Sequence, residues 1–307
     1  MLQCFNTDSR RCIFLSILWI IQQAQSQNVA PRTSGPFWSS PSTRTTSTII
    51  TNMLPPGSSP DAVVIGSGLA GLTAALNILD RGGKVVILEK EAKPGGNSVK
   101  ASSGINACPV VGRGGAGGDD VTTNSDQPSI PQDELDSFVK DTIQSAGENA
   151  NAELITTLVS NSVEALQWLK DRVGVDLTQH RTQLGGHSNA RTHRPEKGAV
   201  GFTVMSALQK ALVPFQESGH LAMLVSTRAT KIQRKDDGDS HDLTVEYVTT
   251  AEDGTDQSAL IDSPNVVLAT GGFAADRSPD SLLAAHCPEY LQMPATFGDF
   301  STGDGIR

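Results

Sequence analysis

Acidic side chains are missing from one whole stretch of this 307-residue chain. No Asp or Glu occurs between Ser9 and Pro60, although Arg10, Arg11, Arg32 and Arg44 do. The formal charge of the full chain is −9, so these residues differ in kind from the rest. Cysteine is scarce as well: Cys4, Cys12, Cys108 and Cys287 form no Cys-x-x-C pair. That excludes a dithiol redox motif and the usual zinc spacing, and it gives no support to a disulfide framework. No basic surplus exists, so nucleic acid is not an expected partner. The body carries no Asn-x-Ser/Thr sequon, which argues against a glycosylated extracellular product. The apolar run Cys12 to Ile21 is ten residues long, about half of what a transmembrane helix needs, so no stable span is expected.

Within the acid-free stretch, Arg10-Arg11, the apolar run and Ala24-Gln25-Ser26 follow in the order of a targeting peptide. Residues 1–26 therefore read as a signal or transit peptide. The Arg- and Ser-rich composition fits both the secretory pathway and the mitochondrion, so the expected location is a membrane-bounded compartment of either type. Residues 27–60 are Ser/Thr/Pro-rich and read as a disordered linker. The domain proper is expected over 61–307.

The chain has 29 glycines, nearly all of them in the body. Ala62 to Ile65 and Val85 to Leu88 are short apolar runs fit for strands buried on both faces, with a helix at Leu69 to Leu79 between them. This is a βαβ unit of about thirty residues. Gly95 to Gly118 reads as a Gly-rich loop and Asp119 to Gln132 as a polar one. Helices are expected at Asp133 to Ser145, Ala152 to Asp171 and Thr203 to Leu212. Strands are expected at Leu221 to Gln233, His241 to Thr250 and Gln257 to Ile261, and a last buried one at Val266 to Ala269.

The first βαβ unit carries Gly66-x-Gly68-x-x-Gly71. Gly66 permits the tight turn, Gly68 lets the backbone approach a pyrophosphate, and Gly71 lets helix pack on strand. Amides at the helix N-terminus then hold the phosphate charge. Glu89 closes the second strand, where a carboxylate can accept from the hydroxyls of an adenosine ribose. Strand, helix, strand and terminal acid make the pattern specific. After it, "EKEAKPGGNSVKASSGINA" supplies a Gly95-Gly96 turn and a small-residue stretch, room for a long flat cofactor. "VVLATGGFA" adds a strand that ends in a Gly pair at the carboxyl edge, where such sheets bind ligands.

"GSGLAG", "EKEAKPGGNSVKASSGINA", "LGGHSNARTHRP", "VVLATGGFA" and "TGDGI" stand in the order and spacing of the soluble FAD-dependent fumarate reductases. The chain resembles the fungal and protist type of that family from Asp61 to its end. More distantly it is similar to the flavoprotein subunit of succinate dehydrogenase and to aspartate oxidase. The resemblance implies an α/β fold: a Rossmann-like FAD-binding domain with a central parallel sheet and a small antiparallel β element. It further implies fumarate or a similar dicarboxylate as substrate of the full-length protein, reduced to succinate by hydride transfer from flavin.

By position, Gly66, Gly68, Ala70 and Gly71 would hold the pyrophosphate and Glu89 the ribose. Asn97 and Ser98 would follow the diphosphate and ribityl chain, and Ser103 and Gly104 would face the isoalloxazine. Ala229 would contact the adenine through its backbone. Thr270, Gly271 and Asp304 would line the flavin from the other side. Relatives with covalent flavin use a histidine in the Gly-Gly loop. No His occurs here between Asp61 and Gln179, so noncovalent FAD is expected. The family's substrate-binding and proton-donating residues, and its capping domain, lie beyond "TGDGIR". The fold is therefore expected to be incomplete and the isolated chain inactive in fumarate reduction, with no catalytic residue assigned. A flavin-binding module without catalysis stays open beside the reductase reading, and the electron donor is not indicated. His187, Arg191, His193 and Arg194 are expected to pack beside the active site, and Cys108 and Cys287 to be buried apolar cysteines.

Overall fold

A computed structural model describes residues 54–55, 58–109, 132–234, 243–294 and 296–306. The expected targeting peptide, nearly all of the linker, the last part of the Gly-rich loop (110–118) and nearly all of the polar loop after it lie outside these residues.

The centre is a parallel sheet of four strands. β1 (Ala62–Ile65) and β2 (Val85–Leu88) are joined by helix α1 (Leu69–Asp80) and lie between β6 (Leu221–Leu224) and β10 (Val266–Leu268), in the order β10-β1-β2-β6. Every residue of β1 and β2 is buried, as their unbroken apolar sequence requires of a sheet covered on both faces. One cover is helical. Leu72, Leu76 and Leu79 of α1 meet Leu208 and Leu212 of α5 (Val200–Glu217) over Val64, Val85 and Ile87. The other cover is an antiparallel sheet of β7 (Thr227–Arg234), β8 (Leu243–Thr250) and β9 (Asp256–Ser263), which lays Val245 and Tyr247 on Val63, Val86 and Leu88. Helices, parallel sheet and antiparallel sheet thus form three layers.

Several elements depart from the expected bounds. The single helix expected over Ala152 to Asp171 is two, α3 (Ala152–Ser160) and α4 (Ser162–Val173). Asn161 and Ser162 break it, because both side chains turn back on the preceding carbonyls of Thr157 and Val159. The strand expected over Leu221 to Gln233 is likewise two. Ser226, at φ +50°, swings the chain out of the parallel sheet and into the antiparallel one. Helix α5 runs from Val200 to Glu217, past Pro214, which cannot donate to the Lys210 carbonyl, so the last turn holds one backbone bond fewer.

One element was not legible at all. The stretch "LGGHSNARTHRP" contributes β5 (Thr192–Arg194), which pairs with β3 (Ile105–Asn106) and β4 (His180–Thr182) in a small antiparallel sheet. Helix α2 (Gln132–Ala146) packs against α3, with Phe138, Ile155, Val159 and Val163 as a separate small core. Among the described residues no helix is long and apolar enough to cross a membrane, and no group of His, Cys, Asp and Glu is arranged to hold a metal.

Candidate functional site

Three loops meet at the carboxyl edge of the parallel sheet: the turn from β1 into α1, the turn after β2, and the turn after β10. Their contacts explain two of the three fingerprint glycines from the protein alone. Gly66 has φ +103°, and a Cβ there would lie 2.4 Å from the Ala269 carbonyl oxygen. A Cβ on Gly71 would lie 1.9 Å from the carbonyl oxygen of Gly66, so helix and turn touch backbone to backbone. Gly68 is different. Its φ is −70°, open to any residue, and a Cβ would meet only Ser98 Oγ, at 3.5 Å. Nothing in the chain requires glycine there.

Gly68 is the N-cap of α1, and no side chain caps the helix from that position. The Leu69 amide is taken by Ser98 Oγ at 3.0 Å, and the Leu72 amide by the Gly68 carbonyl at 3.0 Å. Between them the amides of Ala70 and Gly71 lie in the first turn, where a helix has no partner of its own to offer. The positive end of the helix dipole therefore faces a floor of glycine, the arrangement that binds a phosphate.

Glu89 is buried beside this turn. Its Oε2 accepts from the Ser67 amide at 2.9 Å and from the Ser67 hydroxyl, and its Oε1 accepts from the Glu91 amide at 2.9 Å. A carboxylate has about four acceptor positions, so roughly one stays free for a ribose hydroxyl. A second would require the Ser67 hydroxyl to rotate away. Ser67 escaped the sequence reading, since it fills a variable place in the glycine pattern; it also accepts from the Gly95 amide at 3.3 Å and so joins the first two loops.

The remaining expected residues divide into groups. Asn97 and Ser98 sit on a 3₁₀ turn (Gly96–Lys100) against the fingerprint loop. Asn97 donates to Ser301 Oγ and accepts from the Gly298 amide at 2.8 Å. Thr270 and Gly271 follow β10, and Gly305 packs so closely on Thr270 that a Cβ would be 2.2 Å from its Oγ1. Asp304 is tied to Lys90, the residue after Glu89: it accepts from Lys90 Nζ at 2.6 Å, and Lys90 also donates to Thr302 Oγ1 at 2.9 Å. Burial pushes the Asp304 carboxyl up, but bonds from Lys90 and Thr302 outweigh it and hold it below its ordinary value. Ala229 lies where the β7–β8 register slips, between Ala229 and Lys231; such a bulge leaves one residue of the strand unpaired. Lys90, Ser226, Arg228, Phe297, Phe300 and Thr302 line a cleft of about 680 Å³ on that side. Ser103 is exposed. A Cβ on Gly104 would lie 2.5 Å from the His193 carbonyl oxygen, so packing on β5 accounts for that glycine.

The His187 to Arg194 segment offers less chemistry than its composition suggests. Arg191 is fully buried: it donates to Asp141 and to Ser137 Oγ, each at 2.8 Å, and its guanidinium lies 4.7 Å from the Phe138 ring centre. Asp141 also accepts from the amide and hydroxyl of Ser188, both at 2.8 Å. His187 packs edge-on against Phe138, and His193 is buried with Nδ1 3.1 Å from the Leu177 carbonyl oxygen. Burial holds both histidines below their ordinary value, hence neutral. Cys108 and Cys287 are buried free thiols, pushed up chiefly by that burial.

Residues 61–307 match a family described as FAD binding domain. Among curated relatives, the fumarate reductase of Schizosaccharomyces pombe is 38% identical over 248 residues, 80% of this chain and 45% of the relative. Fumarate reductase 1 of Saccharomyces cerevisiae is 36% identical over 250 residues, 80% of this chain and 48% of the relative. This chain therefore spans about half the length of these relatives. Among solved structures, the open conformation of a flavocytochrome c3 fumarate reductase aligns with a TM-score of 0.61 at 26% identity, covering 81% of this chain and 40% of the other.

Proposed function

The chain belongs to the FAD binding domain family, and on that premise we propose that it forms the cofactor-holding part of a flavin-dependent fumarate reductase, with FAD bound noncovalently. One observation supports the cofactor's place: Gly68, a glycine the protein itself does not need, stands at a helix start it does not cap, beside the buried carboxylate of Glu89. The amides at the start of α1 bind the pyrophosphate, and Gly68 keeps the approach clear. Glu89 orients the adenosine ribose, with Ser67 fixing the carboxylate. Asn97, Ser98, Thr270 and Asp304 bound the groove on its remaining sides. FAD, when bound, supplies two-electron redox chemistry.

The substrate we propose is a dicarboxylate such as fumarate, which the names of the two fungal relatives support. The described residues assign no proton donor, since Arg191 is spent on Asp141 and Ser137. Residues 1–26 we propose to be a removable targeting peptide for a membrane-bounded compartment. N-terminal sequencing of protein from its native cell tests this, and a start at Met1 would refute it.

The test of the central reading is a visible spectrum. The purified chain takes up FAD to a 1:1 ratio, and acid precipitation releases the flavin into the supernatant. A chain that takes up no FAD refutes the reading. Flavin that stays with the precipitate refutes noncovalent attachment. FAD uptake by a full-length protein of this sequence that has no fumarate-dependent oxidation of reduced viologen would favour the non-catalytic binding module instead.

A further inference from the structure

Helix α5 begins directly above the turn that carries Asn97 and Ser98. Gly201, in its first helical turn, has ordinary helical backbone, so no unusual φ calls for glycine. Its surroundings do. A Cβ there would stand 2.1 Å from the Ser98 carbonyl oxygen, 2.8 Å from the Ala101 nitrogen and 2.9 Å from the Ala101 oxygen. All three are backbone atoms, which cannot swing aside as a side chain would. The Gly201 amide, one of the donors a helix start leaves without an internal partner, donates to the Ala101 carbonyl at 2.8 Å.

The turn beneath is connected on both sides. Ser98 Oγ accepts the Leu69 amide of α1 at 3.0 Å, and Asn97 holds Gly298 and Ser301. We propose that Gly201 is a positioning residue for the cofactor: it lets α5 seat on the Ser98–Ala101 backbone and so sets how closely that turn closes on the dinucleotide loop. It touches no cofactor atom in this role, and acts through Ser98. The inference rests on the reading of this groove as the FAD site.

The proposal gives Gly201→Ala a sign that helix propensity alone would reverse. Ala is a better helix former than Gly, so a helix with nothing above it would become more stable. Here the new methyl must push the turn outward by roughly 1 Å, a displacement of the kind that costs about 10- to 100-fold at a preorganised site. In the full chain, Gly201→Ala should weaken FAD binding, measured by quenching of flavin fluorescence, by that factor. Hydrogen exchange in the apo protein should quicken in the peptide containing Leu69, while the body of α5, anchored by Val204, Leu208 and Leu212, stays protected. Phe202→Ala, at a neighbouring position that is 64% exposed, should change neither.

Wild-type FAD affinity together with unchanged exchange at Leu69 in Gly201→Ala would overturn the proposal. Should wild type itself take up no FAD, the functional reading fails, and the exchange measurement alone decides the positioning role. Should Gly201→Ala not fold, Ser98→Ala removes the Leu69 contact without a clash. That variant must then quicken exchange at Leu69 and weaken FAD, and wild-type behaviour in both would overturn the proposal.

Discussion

The turn at Gly66 to Gly71 and the segment from His187 to Arg194 are both rich in chemistry-bearing groups, yet they use them in opposite ways. The first leaves capacity open: an uncapped helix start, a glycine without a packing reason, and a carboxylate with room for another donor. The second turns most of what it has inward: Arg191 divides its terminal nitrogens between Asp141 and Ser137 and both histidines are buried and neutral, although Arg191 Nε and His193 Nε2 are left without a hydrogen-bond partner among the described residues. A binding site holds polar groups ready for something outside the chain, whereas a structural cluster directs most of its bonds to itself.

Replacing Gly68 by Val sharpens this contrast most. FAD binding should fall more than about 100-fold, because the side chain fills the pyrophosphate's approach. The first added carbon meets only Ser98 Oγ at contact distance and the backbone φ suits any residue, so unfolding in urea should change by about 1 kcal/mol, the scale of an altered cap. Undiminished flavin stoichiometry would break the comparison at its first term.

Arg191→Ala should do the reverse. It removes two charge-assisted hydrogen bonds, to the partly buried Asp141 and to Ser137, at a cost of about 2 kcal/mol in stability. Flavin affinity of the folded fraction should remain within about twofold, because additivity holds between sites with no shared partners. A large loss of affinity without loss of stability would return Arg191 to the active site.

A smaller effect is expected from pH. His187 and His193 are held below their ordinary value by burial, so the unfolded chain binds protons that the folded chain refuses. Stability should accordingly decline as pH falls below about 6.5, the ordinary histidine value. Asp141 is shifted the other way by opposing causes: burial raises it, while the Ser188 amide and hydroxyl and Arg191 lower it further than burial raises it. Its depressed carboxyl favours the folded state above its ordinary value, and that contribution is lost as pH falls through the acid range below it. Urea midpoints measured from pH 7 to pH 5 should therefore slope downward toward acid, and His187→Gln should flatten part of that slope. A flat wild-type profile would mean that the segment is not closed on itself.

Much of this was legible in the residues. Continuous apolar runs gave β1 and β2 because strands buried on both faces need no alternation; β10, expected to be buried as well, forms at the edge of the described sheet, where Val266 and Val267 are half-buried and Leu268 is exposed. The glycine spacing located the helix start, since steric demands at Gly66 and Gly71 are local to one turn. Ser67 and Gly201 were not legible. Ser67 occupies a position any residue can fill in the pattern, and its bonds to Glu89 and Gly95 form only when β2 lies beside β1. Gly201 reads as an indifferent glycine near a helix start until its neighbour, about a hundred residues earlier, is in place.

By itself, then, the sequence determined the βαβ unit, the acid at the end of its second strand and the resemblance to flavin-dependent reductases, all of them properties of short contiguous stretches. Only the tertiary structure decided which polar groups remain open. A hydrogen bond or a steric contact between segments far apart depends on where the sheet brings them, and no local pattern records that. The same holds for the basic cluster: it was expected to pack beside the active site, but only the fold shows that α2 supplies Ser137, Phe138 and Asp141 to surround Arg191.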